Sequence, residues 1–562
     1  MDITHRPSHQ RRRRVWPPFL GLTLLSALAL AAALPAPATA QDPDLERWLR
    51  VQTPNFLLFT DAEAQRGLEI AARLEQFRAA FAALAPALEL RSPAPTTLYA
   101  FRDARSFGPY KSRPDGGGAR ILGQFTKTRD GNYLTLDAGT DLADSFSVIY
   151  HEYVHFLVLH NFPRVPLWFN EGLAEYYSTF AVENGRAVLG EPVRRHVNWL
   201  RRQGDFSLLE LLEADTESDT YHDPSEVGRF YALSWALVHY LLSGGHEEID
   251  RAVDYFVRLR DGEYPDEAFE SAFGRQLSSM EQELQTYLET GNFATTTVRL
   301  PKIDGSGFGV RRSKPADTLY RLGDLAVHMG KTRLAERHFH DALDRAPRHP
   351  EVHAGLALVR NVQERWGEAD VLYRDAVKFG ATLPVSYVLY GRHSLVGAQA
   401  AEGEVAVARA KSARTSLRKA AELSPEFGEA HALLASAELL PGGDVDRALA
   451  SVFRARDLLP SRLDLVELNI RVHLKRGELD LAETMIVGEL EPRTSDDERI
   501  NRAWEELDRT DLLLQSEAAF KEGENERGLE LLDRAIEVTS DLDLRERLEA
   551  ELVRLQGLVG SG

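Results

Sequence analysis

The chain has no cysteine. That excludes disulfides, a thiolate-bound structural zinc, and a lipid anchor attached to a cysteine behind an export signal. Any metal must therefore be held by histidine and carboxylate. A chain of 562 residues without covalent cross-links rests on packed cores, and this length is ample for two or more of them. Positive charge is scarce as well: 67 Lys and Arg stand against 86 Asp and Glu, a formal net charge of −19. Removing residues 1–40, which hold five of the arginines and one aspartate, takes that charge from −19 to −23. Such a balance favours solubility and argues against nucleic acid or an anionic membrane as a partner.

Those first forty residues read as a signal peptide rather than as part of the fold. Arg11 to Arg14 form a basic head, Phe19 to Leu34 an apolar run, and Ala38-Thr39-Ala40 a small-residue cleavage site. The run is short and alanine-rich for a membrane span, and Pro35 and Pro37 close it. No stable span is expected after cleavage, although an uncleaved anchor is the other reading of the same residues. The expected location is periplasmic or secreted.

What is present is His151-Glu152-Tyr153-Val154-His155, with Glu171 of Asn170-Glu171-Gly172 sixteen residues beyond His155. Histidines four apart on a helix share a face, so both imidazoles reach one metal ion. Glu152 sits where its carboxylate meets a metal-bound water rather than the metal itself. Catalytic zinc takes three protein ligands and keeps a fourth position open, and Glu171, in the helical run Leu167–Tyr177, is the candidate third ligand. The apolar runs on either side of the motif make one helix over about 146–159, with Asp144 or Ser145 as its N-cap. The reading is a zinc hydrolase with one Zn2+ per chain.

HExxH followed by NEG, with Ala174 and Tyr176 behind it, resembles the gluzincin metallopeptidases, the superfamily of thermolysin and aminopeptidase N. Closest in character is the peptidase MA-like group, often found ahead of tetratricopeptide repeats. The resemblance covers roughly residues 45–295. It implies an α+β zincin-like domain, His151, His155 and Glu171 as metal ligands, and Glu152 as general base in peptide-bond hydrolysis. The gap from His155 to Glu171 is shorter than in aminopeptidase N relatives and no GxMEN string is present, which counts against an aminopeptidase. In those relatives a tyrosine several dozen residues after the glutamate ligand stabilises the oxyanion. Tyr231 is the matching candidate here, with Tyr221 and His222 in reserve, and a plain core aromatic is the other reading of Tyr231. Glu175, one turn after Glu171, either orients a ligand histidine or is a solvated helix carboxylate.

Around the motif the chain reads as mixed α and β. Strands are expected at 55–60 and 96–101, with a long helix over 62–84 between them. A hairpin over 120–136 turns at Asp130-Gly131 just ahead of the HExxH helix. It either covers the core or, as in gluzincins, offers its edge to an extended peptide. A second hairpin turns at Glu183-Asn184-Gly185, and helices run on to about Thr290, Arg229–Leu242 strongly apolar among them. Glycines at 305, 307 and 309 mark 296–314 as a linker between a metallopeptidase domain over 41–295 and a repeat domain over 315–562.

In that last part Ala335, Phe339 and Ala342 recur 34 residues later as Ala369, Tyr373 and Ala376. Ala413, Leu417 and Ala420 recur as Ala448, Val452 and Ala455; Ala482 follows, and Gly528, Leu532 and Ala535 form a weaker copy. This is the tetratricopeptide period, with Ala400–Lys411 lengthening the third copy. About six helix pairs are expected to stack into an all-α solenoid whose concave face binds a substrate or a protein partner. A rival to the peptidase is an envelope scaffold, catalytically inactive or acting on something other than peptide, that uses the repeats to assemble partners.

Overall fold

A computed structural model describes residues 43–562 apart from 87, 112–121, 163–164, 204–205, 216–217, 219–226, 495 and 560–562. The expected signal segment and the reserve candidates Tyr221 and His222 lie outside the described residues. Among the described residues, no helix is long and apolar enough to cross a membrane.

The N-terminal half is built on a six-stranded mixed sheet in the order β4-β5-β3-β2-β1-β9. Its strands are β1 (Leu49–Gln52), β2 (Leu57–Thr60), β3 (Thr96–Phe101), β4 (Gly123–Lys127), β5 (Asn132–Asp137) and β9 (Gly309–Arg312). β3 runs parallel to both β2 and β5, while β1–β2, β4–β5 and β1–β9 are antiparallel. A three-stranded sheet is formed by β6 (Ala181–Glu183), β7 (Arg186–Leu189) and β8 (Thr296–Arg299). Its first hairpin turns at Asn184 and Gly185, both at positive φ (51° and 74°), as a two-residue hairpin turn requires. Among the described residues, the α-helices of this half are α1 (Ala64–Leu84), α2 (Ala104–Phe107), α3 (Leu142–Asn161), α4 (Leu167–Ser178), α5 (Arg194–Gln203), α6 (Leu208–Glu213), α7 (Val227–Ser243), α8 (His246–Arg260), α9 (Pro265–Phe273) and α10 (Leu277–Thr290).

The stretch 296–314, read from its glycines as a linker, is not one. Thr296–Arg299 pairs with β7, and Gly309–Arg312 closes the large sheet against β1. Thr-Thr-Val-Arg is a short strand of β-branched character, Gly-Val-Arg-Arg is one by its pairing with β1, and the glycines lie in and around the turn that carries the chain from one sheet to the other. β1 also went unforeseen: Leu-Arg-Val-Gln is four residues long and half polar, unlike the apolar Leu-Leu-Phe of β2.

Beyond β9 every regular element among the described residues is helical. Six helix pairs follow: α11 (Pro315–His328) with α12 (Thr332–Arg345), α13 (Pro350–Val362) with α14 (Trp366–Lys378), α15 (Pro384–Gln399) with α16 (Gly403–Leu423), α17 (Gly428–Glu438) with α18 (Val445–Leu458), α19 (Asp464–Arg476) with α20 (Leu479–Met485), and α21 (Asp497–Lys521) with α22 (Asn525–Glu537). A last helix, α23 (Leu542–Val559), packs on α22. The repeating alanines and their bulky neighbours all fall on the second helix of a pair and are buried. Phe339 shows why: a Cβ at Gly323 of α11 would stand 2.6 Å from its ring, and one at Gly355 of α13 2.5 Å. One aromatic thus locks its own pair to the next through two glycines. α16 is 21 residues long against 14 for α12, which accounts for the lengthened third copy.

The two halves share a core, and residues 43–562 form one compact unit. Side chains alternate across a strand, and on β3 both sets are buried. Leu98 and Ala100 join α1 and α3 in one cluster, while Tyr99 and Phe101 join Trp48, Phe59, Phe107, Tyr110 and Tyr133 against α11–α13. The sheet is therefore sandwiched between its own helices and the first repeats. Polar pairs bind the second face: Tyr99 donates to the Arg321 carbonyl (3.0 Å), Tyr133 donates to Asp324 (3.1 Å), and Tyr110 meets His338 at 2.9 Å.

Two buried histidines make this face pH-sensitive with opposite signs. Burial works against the charged form of His328, but Asp130 and Asp324 outweigh it and raise its pKa from 6.5 to about 8. Its contribution is whole below 6.5 and is lost as pH rises through 8. Burial, helped by Arg337, lowers His338 from 6.5 to about 4; its contribution is whole above 6.5 and is lost as pH falls toward 4. Each is worth on the order of 2 kcal/mol. The melting temperature should therefore peak near pH 6.5. In scanning calorimetry His328→Gln should flatten the alkaline limb and His338→Gln the acidic one; unchanged limbs would refute the assignment.

Candidate metal centre

Helix α3 is capped by Asp141, whose carboxylate accepts from the Ala143 amide. Neither of the caps expected from sequence serves: Asp144 lies in the first turn, and Ser145 is buried, its hydroxyl 3.1 Å from that of Thr140. The helix buries Phe146, Ile149, Tyr150, Tyr153, Val154 and Leu157, leaving His151, Glu152 and His155 half-buried. Against it lies α4, anchored by the fully buried Trp168 and Ala174. The packing brings Glu171 to the histidine pair.

His151 Nε2 and His155 Nε2 are 3.0 Å apart, and Glu171 Oε2 is 3.4 Å from the first and 3.2 Å from the second. Ligand atoms about 2.05 Å from a tetrahedral zinc would be separated by about 3.3 Å, so the three fit a single ion. The electrostatics agree. Burial opposes ionisation of Glu171, but the two histidines outweigh it and bring its pKa down to about 2. Burial likewise opposes protonation of His155, yet Glu171 and Asn170 leave its pKa raised. Two imidazole lone pairs at 3.0 Å repel unless a proton or a cation lies between them. Among the described residues this is the one cluster of three or more such side chains placed to hold a metal.

Glu175 is buried, not solvated. It stands 3.7 Å from His151 Nδ1, 3.1 Å from Arg195 and 3.1 Å from His196 Nε2. Burial raises its pKa, but His196, His151 and Arg195 outweigh this and leave it lowered. It thus faces the nitrogen of His151 that points away from the cluster, the usual place of an orienting carboxylate. Arg195 and His196 on α5 were not found from sequence.

Tyr231 joins the site from α7, its half-buried ring centred 6.2 Å from that of His151 at 61°. Its position follows from Gly172. A Cβ there would stand 2.2 Å from the Ser234 carbonyl oxygen and 2.6 Å from Val238, so only glycine lets α4 and α7 approach this closely. Tyr231 is one turn before Ser234 on α7. On the other flank, β4 lies on α3 through Gly123, whose Cβ would sit 3.2 Å from the Ser145 carbonyl and 3.5 Å from Ile149. The hairpin expected ahead of the motif therefore places an outermost strand alongside the histidine helix.

Residues 145–258, which carry most of α3 and all of α4 and α7, match the family model described as "Protein of unknown function (DUF1570)". No curated protein matches the chain. Among solved structures it is similar to a thermophilic TPR protein of Thermus thermophilus, at 21% identity over 34% of this chain and 98% of that one, with a TM-score of 0.27. It is also similar to pilF of Pseudomonas aeruginosa, at 18% identity over 42% and 97%, TM-score 0.28. A tetratricopeptide repeat protein from Parabacteroides merdae aligns at 13% identity over 55% and 99%, TM-score 0.25.

Two outcomes are expected. Gly172→Ala forces α4 and α7 apart and should destabilise the chain by about 3 kcal/mol while weakening metal uptake; a neutral melting temperature would contradict the contact. Titration calorimetry with Zn2+ should give one equivalent for the native chain and for Glu152→Ala. His151→Ala and Glu171→Ala should bind none. Loss of binding in Glu152→Ala would overturn the division between ligands and base.

Proposed function

We propose that the chain is an exported, zinc-dependent metallopeptidase of gluzincin type, with a zincin-like α+β domain joined to a protein-binding repeat solenoid. The observation that carries this reading is the convergence of His151, His155 and Glu171 at zinc-ligand spacing with Glu152 adjoining the first histidine. Bound there, zinc would supply Lewis acidity and lower the pKa of a water toward about 7. Glu152 takes a proton from the attacking water and passes it to the leaving amine. Glu175, 3.7 Å from the far nitrogen of the His151 ring, is placed to orient it. Tyr231 donates its hydroxyl to the oxygen on which negative charge develops, where such a donor is worth on the order of 10²-fold in turnover. The outer edge of β4 offers backbone groups to an extended peptide.

A second reading is favoured by the six helix pairs that fill the chain beyond β9: a scaffold that assembles protein partners while the metal site is structural or acts on a bond other than a peptide. Both readings take a protein or peptide partner and no nucleic acid. The purified protein, checked for stoichiometric zinc, should cleave casein or quenched peptides, and Glu152→Gln should abolish cleavage with zinc retained. Zinc-loaded protein that cleaves no peptide would favour the scaffold. Tyr231→Phe keeps the packing and removes only the hydroxyl, so turnover should fall on the order of 10²-fold with zinc content unchanged. Undiminished turnover would return Tyr231 to the core.

A further inference from the structure

The inner face of the solenoid already has an occupant. The first helices of successive pairs, α11, α13, α15, α17 and α19, pack on one another, whereas the second helices make no comparable contact with their successors. In a curved stack the layer whose members touch is the inner one. Two loops of the N-terminal half stand against that layer. They are neighbours because β3 and β5 start side by side, Thr96 opposite Asn132, and the Asn132 amide donates to the Pro95 carbonyl at 2.8 Å.

One loop, residues 91–95, docks by backbone and apolar contact. The amide of Gly428, the first residue of α17, donates to the Pro93 carbonyl at 2.9 Å. Ala94 packs on the cluster of Ala381, Tyr387, Val388, Phe427 and Ala430. The other is the β4–β5 turn, and it docks by charge. Asp130 accepts from Arg392 of α15 at 2.6 Å and meets His328 of α11 at 3.4 Å. Arg129 lies 4.0 Å from Glu429 of α17 and 3.9 Å from Asp464 of α19. Glu429, itself buried, also accepts from Arg392 at 3.3 Å and from Arg462. One turn thus engages four of the first five repeats, Asp130 meeting the basic groups of two and Arg129 the acidic groups of two, in a setting where a lost partner strands a buried ion.

We propose that the inner face of repeats one to five is an intramolecular receptor whose ligand is the chain's own Arg129-Asp130 turn. The solenoid is thereby a clamp on the β4–β5 hairpin. Because β4 lies on α3 at Gly123, the clamp fixes the strand that borders the histidine helix. A separate protein partner is left the outer face of the solenoid and its last pair. The inference stands on the docked geometry and holds whether or not the metal site turns over.

The test is hydrogen–deuterium exchange on the full chain. In Asp130→Asn, amides of 123–127 and 132–137 should exchange on the order of tenfold faster, while those of α22 are unchanged. Arg392→Met should do the same, and the double variant should add nothing beyond either single change. Unchanged hairpin protection in Asp130→Asn, or effects of the two changes that multiply, would overturn the clamp. If Asp130→Asn unfolds the chain as a whole, Arg129→Gln, with 65% of the native side chain exposed, reads the same contact. It should speed hairpin exchange several-fold, and a native rate there would equally overturn the proposal.

Discussion

The approach of α4 to α7 at Gly172 sets most of what surrounds the histidine helix. A methyl group at that position would overlap the Ser234 carbonyl, so the distance between the two helices is the distance between backbones. Glu171 precedes the contact and Tyr231 lies one turn from it, so the same crossing aims both toward His151 and His155. Trp168 and Ala174, both wholly buried, keep α4 from rotating. A carboxylate held on a rigid helix needs little reorganisation to meet a cation, which is what preorganisation requires of a metal ligand.

Much of this was legible in the sequence, and the reason is local. His151, His155 and Glu171 announce themselves by spacing on two adjacent helices. Thr96–Phe101 reads as a strand because it is an unbroken apolar and β-branched run, and the paired alanines with Phe339 or Tyr373 between them betray the repeats. What escaped depends on partners far along the chain. β1 and β9 are four residues each, too short for periodicity to show, and β9 finds its strand partner only in β1, far back along the chain. His196 and Arg195 gain their meaning from Glu175, twenty or so positions earlier.

The sharing of β3 between two cores illustrates the same limit. Leu98 and Ala100 against Tyr99 and Phe101 is an alternation of aliphatic with aromatic, both apolar, so a hydropathy pattern registers only a buried strand. The division matters because the aromatic side brings hydroxyls: Tyr99 and Tyr133 each find a polar partner on α11. A sheet with both faces buried needs a cover on each, and here the second cover is the start of the solenoid. The site and the repeats therefore belong to one mechanical body.

The position of β9 has a consequence for the order in which the molecule can assemble. Leu49 pairs with Arg312, roughly 260 residues later, so the large sheet has an open edge at β1 until almost all of the N-terminal half has been synthesised. Pairings of such long sequence separation form late, because loop closure must be met before the contact is gained. A nascent chain halted before residue 309 would present the unpaired backbone of β1 to whatever strand it meets first.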